Sequence, residues 1–592
     1  MLLGPLFFLG TLELALRLCG YGYPTSFFVK TDDGHHYTAN RSFGWRFFPR
    51  ETSTAPHPFL MPVQKEPGTL RVFILGESAA LGTPAPPFGF GRILEVMLRE
   101  QYPNRRIEVI NAAMRGIDSN IILPIARECA RHQPDLFIVY MGNNEAIGLY
   151  SPEPGSRNLG SRRWLLRAGQ RVKSLKLFQL LESIYRKARK PPPRKPQDME
   201  YFRAHYFASD DPGRAITYSN FRENLDEICH AGIHGGTKVL ASTVGSNLKD
   251  FPPLGSLHRR DLSERDRAAW DTSFAAGTKA ESQEQYTNAI QQYLEAARMD
   301  DHFAELHFRL ARCYFATGQF TNAQEHFALG RDWDALQFRT DRKLNTIIRE
   351  IVSSRQGQVQ LVDAERAFAE SALSEHHIPG SALFNDHVHM SFDGDYTLAR
   401  TMLPAVAAAL GLSNSTGSAE SAKLPTRAEC AERLAFTPWE EVNVAAGMLH
   451  SLDNPPFLDQ LDHKERQARA NQIIQERLKA LNQKEEHAKA TAIYRAAIAR
   501  NPSDWQLHFI FGNFLSDTQD YNAAVEEYKY VVSLLPKLQP MRMALGKALL
   551  ATGRTADALD QFDEILRFDP DYAPAKSAIA QVHAASSPFR RP

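Results

Sequence analysis

Cysteine is scarce in this sequence. The 592 residues include five cysteines, none of them in a C-x-x-C spacing, at Cys19, Cys129, Cys229, Cys313 and Cys430. An odd number of widely separated cysteines argues against a disulfide framework and against a zinc ribbon. The chain must therefore be held together by apolar cores, and its length favours several structural units over one.

An excess of charge of either sign is also missing. The 69 Lys and Arg nearly balance the 68 Asp and Glu, which leaves a net charge of +1. We therefore expect no nucleic-acid partner. One stretch, residues 162–195, is strongly basic, with twelve Lys or Arg and one acid, Glu182. Its apolar residues recur at helical spacing, which fits a helix lying on an anionic membrane and equally a helix packed on the protein itself.

A long uncharged apolar run is lacking as well. Residues 1–22 begin with about twelve apolar positions but then carry Glu13 and Arg17, and charged side chains are costly inside a bilayer. No basic leader and no small-residue cleavage site mark a signal peptide. We expect a single N-terminal anchor in a bacterial inner membrane, with its orientation undetermined. The alternative is an amphipathic helix docked on the protein's own core.

Continuously apolar runs are present, and they predict a parallel sheet. They are RVFILG from Arg71, IEVINAA from Ile107, DLFIVYM from Asp135, KVLAST from Lys238 and VQLVDA from Val359. Strands without alternation are typical of sheets that are covered on both faces. Helical patterns between the first four runs favour right-handed βαβ units. The predicted class is α/β, a doubly wound parallel sheet in a flavodoxin-like three-layer α/β/α arrangement, accompanied by all-α helical repeats.

The helical repeats have a period of 34 residues in two parts of the chain. Ala289 and Ala323 mark the first array, and the second contains Ala490, Ala524 and Ala558 at the same interval. Aromatic residues recur in phase with these alanines. The segments resemble tetratricopeptide (TPR) repeats, in which small residues let paired helices approach and aromatics fill the space between them. The resemblance implies a groove that recruits a protein partner, and a final capping helix.

The composition and the repeats together predict the domain boundaries. The expected segments are a hydrophobic membrane anchor (1–22), the first part of a sheet domain (23–252), an inserted TPR-like helical pair (253–350), the second part of the sheet domain (351–412), a linker and helical connector (413–480) and a C-terminal TPR array with its cap (481–587). A Pro-rich basic stretch, KARKPPPRKPQ from Lys187, is expected to be a loop, and the Ser- and Gly-rich stretch after Leu412 to be a linker.

Four short motifs follow the predicted strands in order. They are G-E-S-A at Ser78, N-x-x-x-x-G ending at Gly116, G-x-N-E at Asn144, and D-x-x-H from Asp386 to His389. In doubly wound sheets, reactive groups collect beyond the carboxyl ends of the strands. The four motifs resemble the blocks of the SGNH hydrolases, also called the GDSL esterase and lipase family, over residues 70–250 and 355–410. Glu77 and Ala79 depart from the usual Asp and Leu.

These residues fit one chemistry. A serine hydroxyl needs a base to take its proton, and His389 is the candidate base for Ser78. Asp386 lies three positions earlier, so a tight turn could bring its carboxylate to the imidazole. The backbone N–H groups of Ser78 and Gly116 and the side chain of Asn144 are the candidate oxyanion-hole donors. We expect neither a metal nor a cofactor.

Each residue also has a simpler interpretation. Ser78 and Asn144 could each cap a helix, Gly116 could serve only a turn, and Asn143 competes with Asn144. His387 and His389 could share a face of a strand and bind a metal, although no third ligand is evident in the sequence.

Two further carboxylates rival Asp386 as the acid. Asp393 and Asp395 lie beside Gly394, and we interpret both as surface turn residues.

The sequence as a whole predicts a membrane-associated serine ester hydrolase that carries TPR modules. Its substrate would be an O-acyl ester, with carbohydrate and lipid both open as the esterified component. The same residues could serve an O-acyltransferase. A third alternative is a TPR scaffold whose hydrolase-like domain is not catalytic.

Overall fold

A computed structural model of the chain describes residues 3–155, 163–188, 198–208, 210–412 and 424–586. The chain forms two compact units. The sheet unit comprises Met1–Leu424 with Gly447–Arg469, and the repeat unit comprises Pro425–Ala446 with Ala470–Pro592. The predicted 413–480 connector is therefore divided: residues 447–469 pack with the sheet unit and 425–446 with the repeats. The Pro-rich loop from Arg189 and the linker residues 413–423 lie outside the described residues.

The sheet unit contains two sheets, whose strands are β1 (Phe28–Lys30), β2 (His36–Ala39), β3 (Met61–Pro62), β4 (Thr69–Gly76), β5 (Arg106–Asn111), β6 (Leu136–Tyr140), β7 (Lys238–Ser242) and β8 (Val359–Val362). The first three strands form a small antiparallel sheet that the sequence did not predict. The other five form a parallel sheet in the order β5-β4-β6-β7-β8. All five predicted strands are present, and the doubly wound α/β class is confirmed.

Helices cover both faces of the parallel sheet. Those of the sheet domain are α1 (Leu3–Leu18), α2 (Ser78–Leu81), α3 (Phe90–Gln101), α4 (Ser119–Cys129), α5 (Arg163–Lys173), α6 (Lys176–Ala188), α7 (Met199–Arg203), α8 (Pro212–His234), α13 (Arg342–Ser354), α14 (Ala364–Ala369) and α15 (Phe392–Ala409). Helices α4, α8 and α13 pack together as one layer, and α3, α14 and α15 as the other. Because both faces are covered, Val72–Leu75 in β4 are fully buried.

The inserted pair of repeats lies between β7 and β8. Its helices are α9 (Glu264–Ser282), α10 (Tyr286–Met299), α11 (Ala304–Ala316) and α12 (Phe320–Asp332). Gly277 lets α9 approach the ring of Tyr293 on α10, since a Cβ at Gly277 would lie 2.5 Å from that ring. The predicted boundary at 350 falls inside α13, which packs on α8 and β8 and so belongs to the sheet domain.

The C-terminal segment is helical throughout its described length. The helices after the sheet domain are α16 (Arg427–Arg433), α17 (Pro438–Leu452), α18 (His463–Leu481), α19 (Lys484–Arg500), α20 (Trp505–Asp517), α21 (Tyr521–Leu534), α22 (Gln539–Ala551), α23 (Thr555–Phe568) and α24 (Ala573–Ser586). Helices α20–α21 and α22–α23 pair as repeats, and α24 follows as the cap. The Tyr494 hydroxyl of α19 donates to the Glu440 carboxylate of α17, so α17 helps to complete the first repeat.

Helix α1 covers Leu3–Leu18 of the segment 1–22 that the sequence analysis predicts to be an anchor. Among residues 3–155, 163–188, 198–208, 210–412 and 424–586, no helix is long and apolar enough to cross a membrane.

Candidate active site

Ser78 stands at the carboxyl end of β4. Gly76 ends the strand, and a Cβ there would lie 2.1 Å from the carbonyl oxygen of Tyr140 on β6, so only glycine fits this close approach. Glu77 is extended, and Ser78 begins the short helix α2. The local sequence therefore turns the chain at the sheet edge and leaves the Ser78 side chain half-buried.

A tight turn joins Asp386 to His389, as the spacing of the motif predicts. One carboxylate oxygen of Asp386 accepts the backbone N–H groups of Val388 and His389, at 2.9 and 2.8 Å. The other lies 2.6 Å from Nδ1 of His389. On the far side of the ring, Nε2 lies 2.8 Å from the Ser78 hydroxyl oxygen. Residues 311 positions apart are thus joined in one hydrogen-bonded chain.

The electrostatics keep Asp386 ionised. Burial alone would raise the pKa of Asp386, but the imidazoles of His387 and His389 hold that pKa well below its usual range. An ionised Asp386 favours the His389 tautomer with its proton on Nδ1, because the carboxylate can accept a hydrogen bond only from a protonated nitrogen. Nε2 of His389 is then free to accept a proton from Ser78.

His387 lies in an aromatic pocket behind Asp386. Its Nδ1 is 3.2 Å from the Asp386 carboxylate, and its ring centroid lies 5.3 to 5.7 Å from those of Phe251, Phe338 and Phe457. Burial lowers the pKa of His387, so this imidazole stays neutral near pH 7.

In the structure, the Asp386 carboxylate is a third possible metal ligand beside His387 and His389. Ligand atoms of Asp386, His387 and His389 lie within 4.8 Å of one another. Both ring nitrogens of His389 are engaged, however, one by Asp386 and the other by Ser78. An ion bound to His389 would therefore have to break the hydrogen-bonded chain, so the donor set fits proton transfer better than metal binding.

The two neighbouring asparagines do different things. The Asn143 side-chain oxygen accepts both the backbone N–H and the hydroxyl of Thr340, at 3.1 and 2.9 Å. Asn144 instead donates from Nδ2 to the carbonyl of Ile117, at 2.9 Å. Ile117 adjoins Gly116, which has the left-handed φ of +69° that favours glycine. The contacts favour Asn144 over Asn143 beside the Gly116 turn, as the motif predicts.

Two buried glutamates tie these loops together. The Glu77 carboxylate accepts the backbone N–H groups of Gly142, Asn143 and Asn144, at 2.8 to 3.3 Å. Glu145 in turn accepts the backbone N–H and the hydroxyl of Ser119, at 2.9 and 2.7 Å. Each loop thus holds its neighbour, which fixes the positions of candidate donors before a substrate arrives.

The glutamates form part of an acidic cluster with Asp118. Burial raises the pKa of Glu77 to about 8 and that of Asp118 to about 6, in spite of their backbone hydrogen bonds. Burial, together with the charges of Asp118 and Glu77, raises the pKa of Glu145 well above its usual range. Three carboxyls in one dry site cannot all be ionised cheaply, so the cluster retains protons at neutral pH.

Sequence reasoning missed part of this site and misread one residue. From sequence, Glu77 stands out only as a departure from the family motif, although an acid directly after a buried strand is a local signal for a loop anchor. The prediction that Asp395 lies in a surface turn is wrong. This residue is 5% exposed in the first turn of α15, and its carboxylate accepts the backbone N–H of Phe90 at 2.7 Å. Asp393 lies in the same turn.

The family comparison finds repeats in both predicted places. The tetratricopeptide repeat model matches residues 280–339 and 515–582. The first range runs from the end of α9 to just beyond α12 in the inserted pair, and the second from the end of α20 into α24. The TPR prediction is therefore confirmed in both parts of the chain.

Solved structures of two kinds are similar to this chain. A lipase/acylhydrolase from Enterococcus faecalis is 12% identical, with a TM-score of 0.26, over 59% of this chain and 100% of its own. An acetyl xylan esterase is 12% identical, with a TM-score of 0.27, over 57% and 100%. A thermophilic TPR protein from Thermus thermophilus is 13% identical, with a TM-score of 0.16, over 53% and 99%.

Proposed function

We propose that this protein is a serine ester hydrolase of the SGNH type that acts on O-acyl esters. The observation that carries the proposal is the continuous chain from the Ser78 hydroxyl through His389 to Asp386, with both contacts under 3 Å. A structural serine cap would not need an imidazole and a buried, ionised carboxylate aligned behind it.

The first half of the proposed cycle is acylation. His389 takes the proton of Ser78 as the serine oxygen attacks the ester carbonyl, and Asp386 stabilises the imidazolium that forms. The backbone N–H groups of Ser78 and Gly116 and the Asn144 amide are the proposed donors to the oxyanion. The imidazolium then returns its proton to the departing alcohol, which leaves the acyl group on Ser78.

The second half is deacylation. Water attacks the acyl-serine while His389 accepts a proton from that water, and His389 then returns the proton to the Ser78 oxygen as the ester bond breaks and the carboxylic acid leaves. An alcohol that enters in place of water would receive the acyl group instead, which would make the protein an O-acyltransferase. Carbohydrate and lipid hydroxyls are both suitable acceptors, and analysis of the products with and without added alcohol separates the two activities.

The C-terminal repeats have a separate proposed role. TPR arrays present a groove for peptide segments, and the repeat unit has its own core with Ala524, Tyr528 and Phe562 buried. We propose that this array recruits a protein partner. A pull-down with the full chain and with an Ala524→Arg variant tests the role, since loss of the groove should lose the partner.

The nucleophile is tested with a fluorophosphonate probe and a short-chain aryl ester. Wild-type protein should be labelled, with the adduct mapped by mass spectrometry to Ser78, and Ser78→Ala should lose the label. The hydrolysis rate of Ser78→Ala should fall at least about 10³-fold. Its thermal midpoint should stay within a few degrees, because a half-buried hydroxyl contributes little packing.

Ser282→Ala is the matched control. Its hydroxyl lies at the end of α9 and bonds only to its own helix, so both label and rate should be unchanged. Hydrolysis by Ser78→Ala at the wild-type rate would refute the enzyme and leave the scaffold alternative.

A further inference from the structure

Helices α5 and α6 bury two polar side chains more deeply than any of their apolar ones. The most buried side chains of the two helices are glutamines: Gln170 on α5 is 8% exposed and Gln179 on α6 is 3% exposed. The Gln179 side-chain oxygen accepts the backbone N–H of Tyr23 at 3.0 Å. Gln170 and Gln179 therefore face the protein, while part of the apolar surface of both helices faces outward.

The outward faces are continuous apolar stripes. On α5, Trp164 is 63% exposed and Val172 is 47% exposed, two turns apart on one side of the helix. On α6, Leu181, Ile184 and Tyr185 are 55 to 60% exposed at the i, i+3, i+4 spacing of a single face. Isolated exposed apolar residues are ordinary, but two adjacent helices that both expose an apolar stripe mark an interaction surface.

Helix α1 is attached to the same layer. The Glu13 carboxylate accepts the backbone N–H groups of Lys176 and Leu177 at the start of α6, at 3.1 and 2.8 Å. Beyond this contact, Phe7 and Phe8 are 78% and 65% exposed. The Glu13 charge, which makes a membrane-spanning segment costly, thus fastens the apolar helix α1 beside α6.

The positive charge of α5 and α6 indicates which kind of partner binds their exposed apolar face. Residues 163–188 contain seven Lys or Arg and one acid, Glu182. Arg167 and Arg186 are paired with acids, while Arg171 and Lys187 stand exposed next to the apolar stripes. A second copy of this chain would bring the same basic surface against itself, because a two-fold interface is self-complementary. An anionic lipid surface offers both opposite charge and apolar depth.

We propose that the outer face of α5 and α6, together with α1 beside them, docks on an anionic lipid bilayer. The face is defined by Trp164, Val172, Leu181, Ile184 and Tyr185. The apolar stripes enter the boundary between headgroups and acyl chains, and the flanking Lys and Arg contact the headgroups. This mode requires no spanning helix among the described residues, and it does not depend on the proposed esterase activity.

Vesicle flotation of the full chain tests the proposal. The probes are vesicles of phosphatidylcholine alone and vesicles in which roughly one lipid in three is phosphatidylglycerol. Wild-type protein should float with the anionic vesicles and at least about tenfold less with the neutral ones. Leu181→Glu combined with Ile184→Glu should lower the floating fraction at least about tenfold, because two apolar anchors are lost and two like charges are added.

Leu294→Glu is the matched control, since this leucine of the inserted pair is also exposed, at 38%, but lies outside the docking face. Its flotation should equal that of the wild type, and all three proteins should melt alike. Equal flotation of the α6 variant would overturn the proposal by leaving α1 as the sole attachment. Absence of wild-type flotation would also overturn it, and light scattering would then show whether the α6 variant converts a dimer to a monomer, which would identify a second copy as the occupant.

Discussion

The inserted pair and the C-terminal array use the same device to pack their helices. Gly277 faces Tyr293 in the insertion, and Gly512 faces Tyr528 in the array, where a Cβ would lie 2.5 and 2.7 Å from the ring. In both cases a glycine of one helix leaves room for the aromatic ring of the next helix. The helix pairing is thus the same module in two settings, and what differs is how its ends are held.

The ends of the inserted pair are fastened to the sheet domain. Asp334, at the end of the second repeat, is 1% exposed, and its carboxylate accepts the backbone N–H groups of Leu254 and Gly255. It also pairs with Arg339 at 3.2 Å. Next along the chain, Thr340 binds Asn143, the neighbour of the proposed oxyanion donor. The inserted pair is thus linked to the loop of Asn143 by Thr340, which follows the second repeat.

The strongest way to test this difference is to insert a charge into each module. Ala289 in the insertion and Ala524 in the array are both fully buried, so an arginine at either position overpacks a helix pair and buries an unpaired charge. We expect each change to destabilise its own unit by about 4 kcal/mol or more. Ala289→Arg should also lower esterase activity, whereas Ala524→Arg should spare it and damage partner binding.

Thermal unfolding and aryl-ester hydrolysis measured on the same samples check this expectation. If Ala289→Arg retained wild-type activity and melting, the insertion would be an independent module and the comparison would fail. Loss of hydrolysis in Ala524→Arg would refute it from the other side.

A second test concerns where the sheet unit ends. The sequence placed its end at 412, but Phe457 packs 5.7 Å from His387, and Gln460 donates to the carbonyl of Pro252. Phe457→Ala should destabilise the sheet unit by about 2 kcal/mol, roughly half the cost of removing a fully buried phenylalanine. Leu458→Ala is the control, because this neighbour is 40% exposed. If both variants had the same melting temperature, the sheet unit would end at residue 412, as the sequence predicts.

A third test concerns Thr340. Thr340→Val removes the hydroxyl bond to Asn143 but keeps the backbone bond, so the loss is about 1 kcal/mol. If Asn143 positions Asn144, kcat should fall about fivefold while KM changes little. Thr346→Val, whose hydroxyl bonds only to its own helix α13, should match the wild type. An unchanged kcat in Thr340→Val would show that the insertion does not reach the chemistry.

The elements predicted from sequence are those with local signals. Continuous apolar runs specified the five parallel strands, and the period of 34 specified the repeats, because both patterns are written over neighbouring residues. Ser78, Asp386 and His389 were predicted because their motifs resemble, in the same order along the chain, the blocks of the SGNH hydrolases. The short strands β1 to β3, with two to four residues each, carry no such pattern.

The elements that were missed depend on contacts between distant residues. Thr340 and Asn143 are 197 positions apart, and nothing in either neighbourhood indicates the other. The same holds for Phe457 over His387 and for Glu13 at the start of α6. Side-chain partners of this kind are decided by the assembled fold. A single sequence therefore predicts the motifs of the candidate site better than the distant contacts that hold them in place.

The last expected effect concerns the dependence of stability on pH, and it contrasts the two units again. The sheet unit holds Glu77, Asp118 and Glu145 in one acidic cluster, while the repeat unit holds Glu440, whose pKa burial raises to about 7. A carboxyl with a raised pKa keeps its proton in the folded state when the unfolded chain has lost it. Its stabilisation is therefore complete below the unfolded pKa and is lost as pH rises through the folded value.

Between pH 7 and 8.5 the pKa of about 8 for Glu77, together with the pKa of Glu145 that burial raises well above its usual range, should make the sheet unit lose stability as pH rises. Each retained proton contributes a slope of at most about 1.4 kcal/mol per pH unit. Glu145→Gln removes one titrating group and should flatten that slope, whereas Glu153→Gln, at an exposed position, should not. Denaturant unfolding at several pH values measures both. Parallel curves for the wild type and Glu145→Gln would show that Glu145 is ionised in the folded protein, with its charge balanced by the hydrogen bonds from Ser119.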